Sequence, residues 1–120
     1  MPKCILVIDD DEDLLEIFNI IFQEQGYQVV LSNTAKASNY IHHIQPNLIV
    51  LDIWIVGSDK TGADICKAFK NDFPQDKIPI ILVSAEENIK LLAIDSGADG
   101  FISKPFSVDT LVDKVKDLIH

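Results

Sequence analysis

A chain of 120 residues, 48% hydrophobic and 24% charged, has the size and composition of one globular domain whose core needs no metal or disulfide staple. Its formal net charge of −9, from 19 acidic against 10 basic residues, speaks against direct nucleic-acid binding, which rests on neutralising phosphates with Lys and Arg. No apolar run approaches the roughly 20 residues that span a bilayer, and Met1-Pro2-Lys3-Cys4-Ile5 meets an aspartate run too soon for a signal peptide, so a cytoplasmic protein without membrane association is expected.

Cys4 to Ile8 is a continuous apolar run rich in branched residues, which predicts a buried strand ending at Asp9-Asp10-Asp11. Leu14, Ile17, Phe18, Ile21 and Phe22 then recur at helical spacing until Gly26, with Asp11 as N-cap and Glu12 and Asp13 in the first turn. Tyr27 to Leu31 reads as a second strand. Ala37, Tyr40, Ile41 and Ile44 predict a second helix, closed before Pro46. Leu48 to Leu51, the most apolar stretch, is a third strand that ends in Asp52. A loop with Gly57, Ser58, Asp59 and Gly62 leads to a helix carrying Ile65, Cys66, Phe69 and Phe73. Ile80 to Val83 is a strand ending in Ser84-Ala85, and Ile89 to Ile94 a short helix stopped at Ser96-Gly97. Phe101-Ile102 is a short strand ending at Lys104-Pro105. Leu111, Val112, Val115, Leu118 and Ile119 mark the last helix, with His120 where it should end.

Five strands alternating with five helices imply an α/β domain, a doubly wound five-stranded parallel sheet with helices on both faces. Phe18, Phe22, Phe69 and Phe73 fall at helical period and read as core. Cys4 and Cys66 lie in apolar stretches and read as buried, reduced thiols. His42 and His43 lack ligand spacing and read as solvated or partly packed.

In such folds ligands gather outside the carboxyl ends of the strands. Asp9 and Asp10, Asp52, Ser84 and Lys104 stand at the ends of four different strands. Carboxylates packed together repel, and a divalent cation relieves that repulsion. An all-oxygen site of this kind suits Mg²⁺, which also pairs with phosphate. Lys104 adds positive charge and the Ser84 hydroxyl can donate to a phosphate oxygen. The set resembles a phosphoryl-transfer site, in which a carboxylate can itself be the nucleophile.

The motifs Ile5-Leu6-Val7-Ile8-Asp9-Asp10-Asp11, Leu48-Ile49-Val50-Leu51-Asp52, Ile81-Leu82-Val83-Ser84-Ala85, Gly97-Ala98-Asp99-Gly100-Phe101 and Lys104-Pro105-Phe106 together resemble the receiver domain of two-component response regulators. The resemblance runs over the whole chain, implying one receiver domain at 1–120 of flavodoxin-like topology. It implies that Asp52 takes a phosphoryl group from the phosphohistidine of a sensor histidine kinase or phosphotransfer protein. It implies Mg²⁺ held by Asp9, Asp10, Asp52 and the backbone carbonyl of Trp54. Ser84, the amide of Ala85 and Lys104 match the phosphate contacts, and Lys104–Pro105 matches a cis bond. Phe101 matches an aromatic switch that turns inward when Ser84 moves.

Val56 departs from the proline usual in the family, Lys60-Thr61 look like a short insertion, and the segment 86–96 looks short, so a dimer mode inherited from relatives is not expected to carry over. Trp54 and Glu86 flank the site, and the indole is read either as a shield against water or as cover for apolar surface. The implied function is a phosphorylation-controlled interaction module acting on a downstream target protein. Its only chemistry would be self-catalysed phosphoryl acceptance and loss. A free-standing shuttle is the natural form, a domain of a larger regulator the alternative. The rival reading is an aspartyl-nucleophile phosphohydrolase, disfavoured because Trp54 stands where such enzymes place a second Asp. A flavin carrier is set aside because Asp9-Asp10-Asp11 would repel a cofactor phosphate.

Overall fold

A computed structural model describes residues 2–119; Met1 and His120 lie outside the described residues. Five strands, β1 (Cys4–Ile8), β2 (Gln28–Ser32), β3 (Leu48–Asp52), β4 (Ile80–Ser84) and β5 (Gly100–Ser103), form one parallel sheet in the order β2-β1-β3-β4-β5. The strand order reverses between β1 and β3, which pair from Ile5↔Leu48 to Ile8↔Leu51. Asp9 and Asp52 therefore emerge side by side at the crevice where an open α/β sheet presents ligands.

The central strands are apolar on both faces because both are covered. Ile5, Val7, Leu48, Val50, Ile81 and Val83 pack with Phe18, Phe22, Leu111 and Val115 of α1 (Glu12–Glu24) and α5 (Val108–Leu118). The alternate residues Leu6, Ile8, Ile49, Leu51, Ile80 and Leu82 face Ile41, Cys66, Phe69, Ile89 and Ala93 on the other side. Those come from α2 (Ile41–Ile44), α3 (Gly62–Asp72) and α4 (Ile89–Ser96). Each fully buried branched side chain contributes about 1.5–3 kcal/mol. That reservoir offsets the cost of holding Asp9, Asp52 and Ser84 almost without solvent contact.

Local chemistry sets the helix starts. The Asp11 carboxylate accepts from Leu14 N, and Thr61 and Asp64 form a reciprocal capping box at the start of α3. Ser107 caps α5 by accepting from Thr110 N. Gly26, at φ +88°, turns the chain from α1 into β2.

The second helix differs from expectation. Ala35–Tyr40 is 3-10, and only Ile41–Ile44 is α-helical. The Ser38 hydroxyl bonds back to Ala35 O at 2.7 Å, and Thr34 provides no side-chain cap, so local side-chain bonding competes with the α-helical ladder. Tyr40, expected on the apolar stripe, is instead 55% exposed.

Three other core expectations are corrected. Ile17 is 47% exposed, because the buried stripe of α1 centres on Leu15, Phe18 and Phe22 and leaves Ile17 at its far edge. Phe73 is 42% exposed, because α3 ends at Asp72 and Phe73 leaves helical geometry to pack edge-on against His42. Cys4, at the first position of β1, is half-buried rather than buried; Cys66 is fully buried, and burial pushes both thiols up in pKa. His42 pairs with Asp76 at 2.7 Å on the surface. Among the described residues no helix is long and apolar enough to cross a membrane.

Candidate functional site

The carboxyl ends of β1, β3, β4 and β5 converge on one rim. Ile53 N–H donates to Val83 O and Lys104 N–H to Ser84 O at 2.9 Å, so the segment leaving each strand stays bonded to its neighbour past the last ladder pair. Asp9, Asp10, Asp52, Ser84 and Lys104 are held there by backbone, not by the chance meeting of loops.

One carboxylate oxygen from each of Asp9, Asp10 and Asp52 lies within 4.8 Å of the others. Lys104 Nζ sits between two of them, 3.3 Å from Asp9 Oδ2 and 3.3 Å from Asp52 Oδ1. Asp9 Oδ1 accepts the Asp11 N–H at 2.9 Å, and Asp10 Oδ2 accepts the Val56 N–H at 3.0 Å. One ammonium against three carboxylates leaves the rim negative. Asp52 shows the result: burial first, then the neighbouring Asp9, push its carboxyl up to about 6, with Lys104 pulling the other way and Asp10 adding to the rise.

The donor set is all oxygen, converged and short of positive charge, which fits Mg²⁺. Asp9, Asp10 and Asp52 could hold it. For Trp54 the structure reveals the side chain's engagement rather than a role for its carbonyl: the 59%-exposed indole donates from Nε1 to Glu86 Oε1 at 2.7 Å.

On the β4 side, Ser84 is buried, and its Oγ accepts the Glu86 N–H at 3.0 Å, leaving the hydroxyl proton free to donate elsewhere. Ala85 follows on the exposed loop. Phe101 pairs with Leu82 across β4 and β5, half-buried against the cluster beneath α4. The Lys104–Pro105 bond is cis, as the resemblance implied.

Two contributors escaped the sequence reading. Gly62, the first residue of α3, packs on the backbone of Asp52 so closely that a Cβ there would overlap the Asp52 carbonyl oxygen. The Val56 N–H on Asp10 is the other; its one signal in the sequence was that Val56 stands where the family usually has proline, the residue that lacks this donor. A glycine opening a capped helix was a visible but weak signal.

Comparison with known proteins points the same way. The family profile described as response regulator receiver domain matches residues 5–116. The chain is 31% identical over 119 residues to the DNA-binding response regulator MtrA of Mycobacterium tuberculosis, covering 97% of this chain and 50% of that protein. It is 36% identical over 115 residues to the nitrogen assimilation regulatory protein NtrX of Azorhizobium caulinodans, covering 93% of this chain and 25% of that one. The crystal structure of the receiver domain of NtrX from Brucella abortus superposes with a TM-score of 0.85 at 32% identity, covering 95% of this chain and 96% of that one. The chain thus spans half the length or less of these curated relatives.

Proposed function

The chain belongs to the response regulator receiver family of two-component signalling, whose members are signalling modules rather than classical enzymes, and on that premise we propose that it is switched by Mg²⁺-dependent phosphorylation of Asp52. Response regulators receive phosphate from histidine kinases, so the donor is a kinase or phosphotransfer protein and the readout a downstream partner. The observation that carries the reading is Lys104 Nζ at 3.3 Å from both Asp9 and Asp52, where one cation faces three converging carboxylates.

Each residue has a stated task. Asp52 attacks as its carboxylate; the donor's N–P bond breaks, an O–P bond forms on Asp52, and the donor imidazole takes up a proton. Without a cation, burial and Asp9 raise the Asp52 carboxyl to about 6; Mg²⁺ bound beside it would offset that rise and keep the nucleophile ionised. Asp9, Asp10, Asp52 and the Trp54 carbonyl hold Mg²⁺, which when bound neutralises charge on the transferring phosphoryl oxygens. Lys104 contacts a phosphate oxygen; the Ser84 hydroxyl and the Ala85 amide close from the β4 side. Drawing Ser84 toward the phosphate releases the loop now pinned by Glu86 N–H and lets Phe101 settle further inward, a population shift presented to a partner.

The test is phosphoryl incorporation from acetyl phosphate, read as intact mass. The wild-type protein gains one phosphoryl group only with Mg²⁺, and Asp52→Asn gains none. Wild-type protein that stays unmodified with Mg²⁺ present sinks the proposal.

A further inference from the structure

Asp9 is fixed by the Asp11 amide and by Lys104, and Asp52 by Lys104. Asp10 has, among the described residues, one side-chain hydrogen bond: its Oδ2 accepts the backbone N–H of Val56 at 3.0 Å, across 46 positions of sequence. The donor sits in a defined turn. Ser58 N–H bonds to Ile55 O at 3.1 Å and Gly57 has φ +84°. Gln45 is the one non-glycine residue of positive φ among those described, so Val56 has negative φ and the turn is type II with Val56 at its second position. That position's N–H plays no part in the turn's own bond and is free to reach Asp10. The Val56 side chain is 82% exposed and adds almost no packing.

We propose that the Val56 N–H is a positioning donor for cation binding, holding the Asp10 carboxylate at the site and tying the order of the 55–58 turn to metal occupancy. This rests on Asp9, Asp10 and Asp52 forming a Mg²⁺ site. Repulsion from two buried carboxylates drives the more accessible Asp10 toward solvent, and the amide opposes that displacement. One oxygen is engaged by the N–H and the other remains for a cation, the arrangement in which an outer partner orients a metal ligand. Coupling is reciprocal: a cation that fixes Asp10 also fixes the turn. Gly57, Ser58 and Lys60 also line a cavity of about 540 Å³ beside α3, so the turn that Asp10 engages is continuous with that surface.

The experiment compares wild-type protein, Val56→Ala and Val56→Pro by Mg²⁺ titration, followed by Trp54 fluorescence and calorimetry. Proline suits the second position of a type II turn and deletes only the N–H; alanine keeps it. Val56→Ala is expected to bind Mg²⁺ like wild type, and Val56→Pro about 10-fold more weakly. In the wild-type protein the Val56 amide is expected to exchange slowly with solvent, and more slowly still with Mg²⁺. This second measurement decides the matter should Val56→Pro not fold. Equal affinities for the folded proline and alanine variants overturn the proposal, as does a Val56 amide that exchanges as if unprotected with and without Mg²⁺. Wild-type protein that binds no Mg²⁺ overturns the underlying site as well, and is thereby distinguished from failure of the Val56 contact alone.

Discussion

The indole N–H of Trp54 donates to the Glu86 carboxylate at 2.7 Å, joining the chain two residues past Asp52 to the chain two residues past Ser84. Under the proposed function, the two strand ends that would act together on a phosphoryl group are thus already bridged by side chains. The bridge is solvent-exposed, so its net strength is of the order of 1 kcal/mol.

Its consequence is kinetic. If the tethered indole shields the phosphoryl group from water, Trp54→Ala shortens the lifetime of phospho-Asp52, and about 1 kcal/mol of lost barrier gives about a fivefold faster decay. Trp54→Phe keeps a ring but loses the donor and is expected to fall between. Phosphate release after removal of the donor measures both; an unchanged Trp54→Ala half-life rejects the shield and leaves the indole as surface cover.

Asp52 makes stability depend on pH. Its pKa rises from 3.8 to about 6 on folding, so the folded state prefers the protonated form. The stability this group contributes is complete below 3.8 and is lost as pH rises through about 6. Asp52→Asn removes that titration. In the absence of divalent cations it is expected to be more stable than wild type at about pH 7, by at most about 3 kcal/mol, and no more stable below about pH 4. Denaturant melts across that range check it, and Mg²⁺ should narrow the gap at neutral pH.

Lys104 counters the rise. Replacing it with methionine removes the ammonium that lowers the Asp52 pKa, so the carboxyl should titrate higher than in wild type. Carbon NMR of the labelled side chain reads this directly. Phosphorylation of Lys104→Met by acetyl phosphate should be slower at neutral pH and should recover in part as pH rises, which loss of a phosphate contact alone would not produce.

Gly62→Ala places a methyl group against the Asp52 carbonyl, where the obstacle is backbone and cannot swing away. The start of α3 must retreat, at a cost of about 1–3 kcal/mol. Thermal melting should show that loss, with slower phosphorylation alongside it. A variant as stable as wild type would mean the packing beneath Asp52 is looser than described.

The sheet was legible because its strands are short branched apolar runs that stop at polar or charged residues, and the stops were placed to within a residue or two. Helices with strong caps, such as α1 and α5, were equally plain. The second helix was not, because Ser38 bonds back to Ala35 and its apolar residues suit a tighter turn as well as an α-helix. Phe73 was misread because periodicity does not say where a helix stops.

The sequence by itself determined the alternation of strands and helices and the order in which acids, hydroxyl and lysine appear at strand ends, since those follow from side-chain type and spacing; the family and its topology came through the resemblance of the motifs. Only the tertiary structure decided what holds them. The Val56 amide on Asp10, the missing Cβ of Gly62 under Asp52 and the Trp54–Glu86 bridge join residues distant in the chain. The Val56 contact uses an N–H that every residue but proline carries, and Gly62 is required only because the Asp52 backbone passes so close, so both roles become visible only where the chain passes.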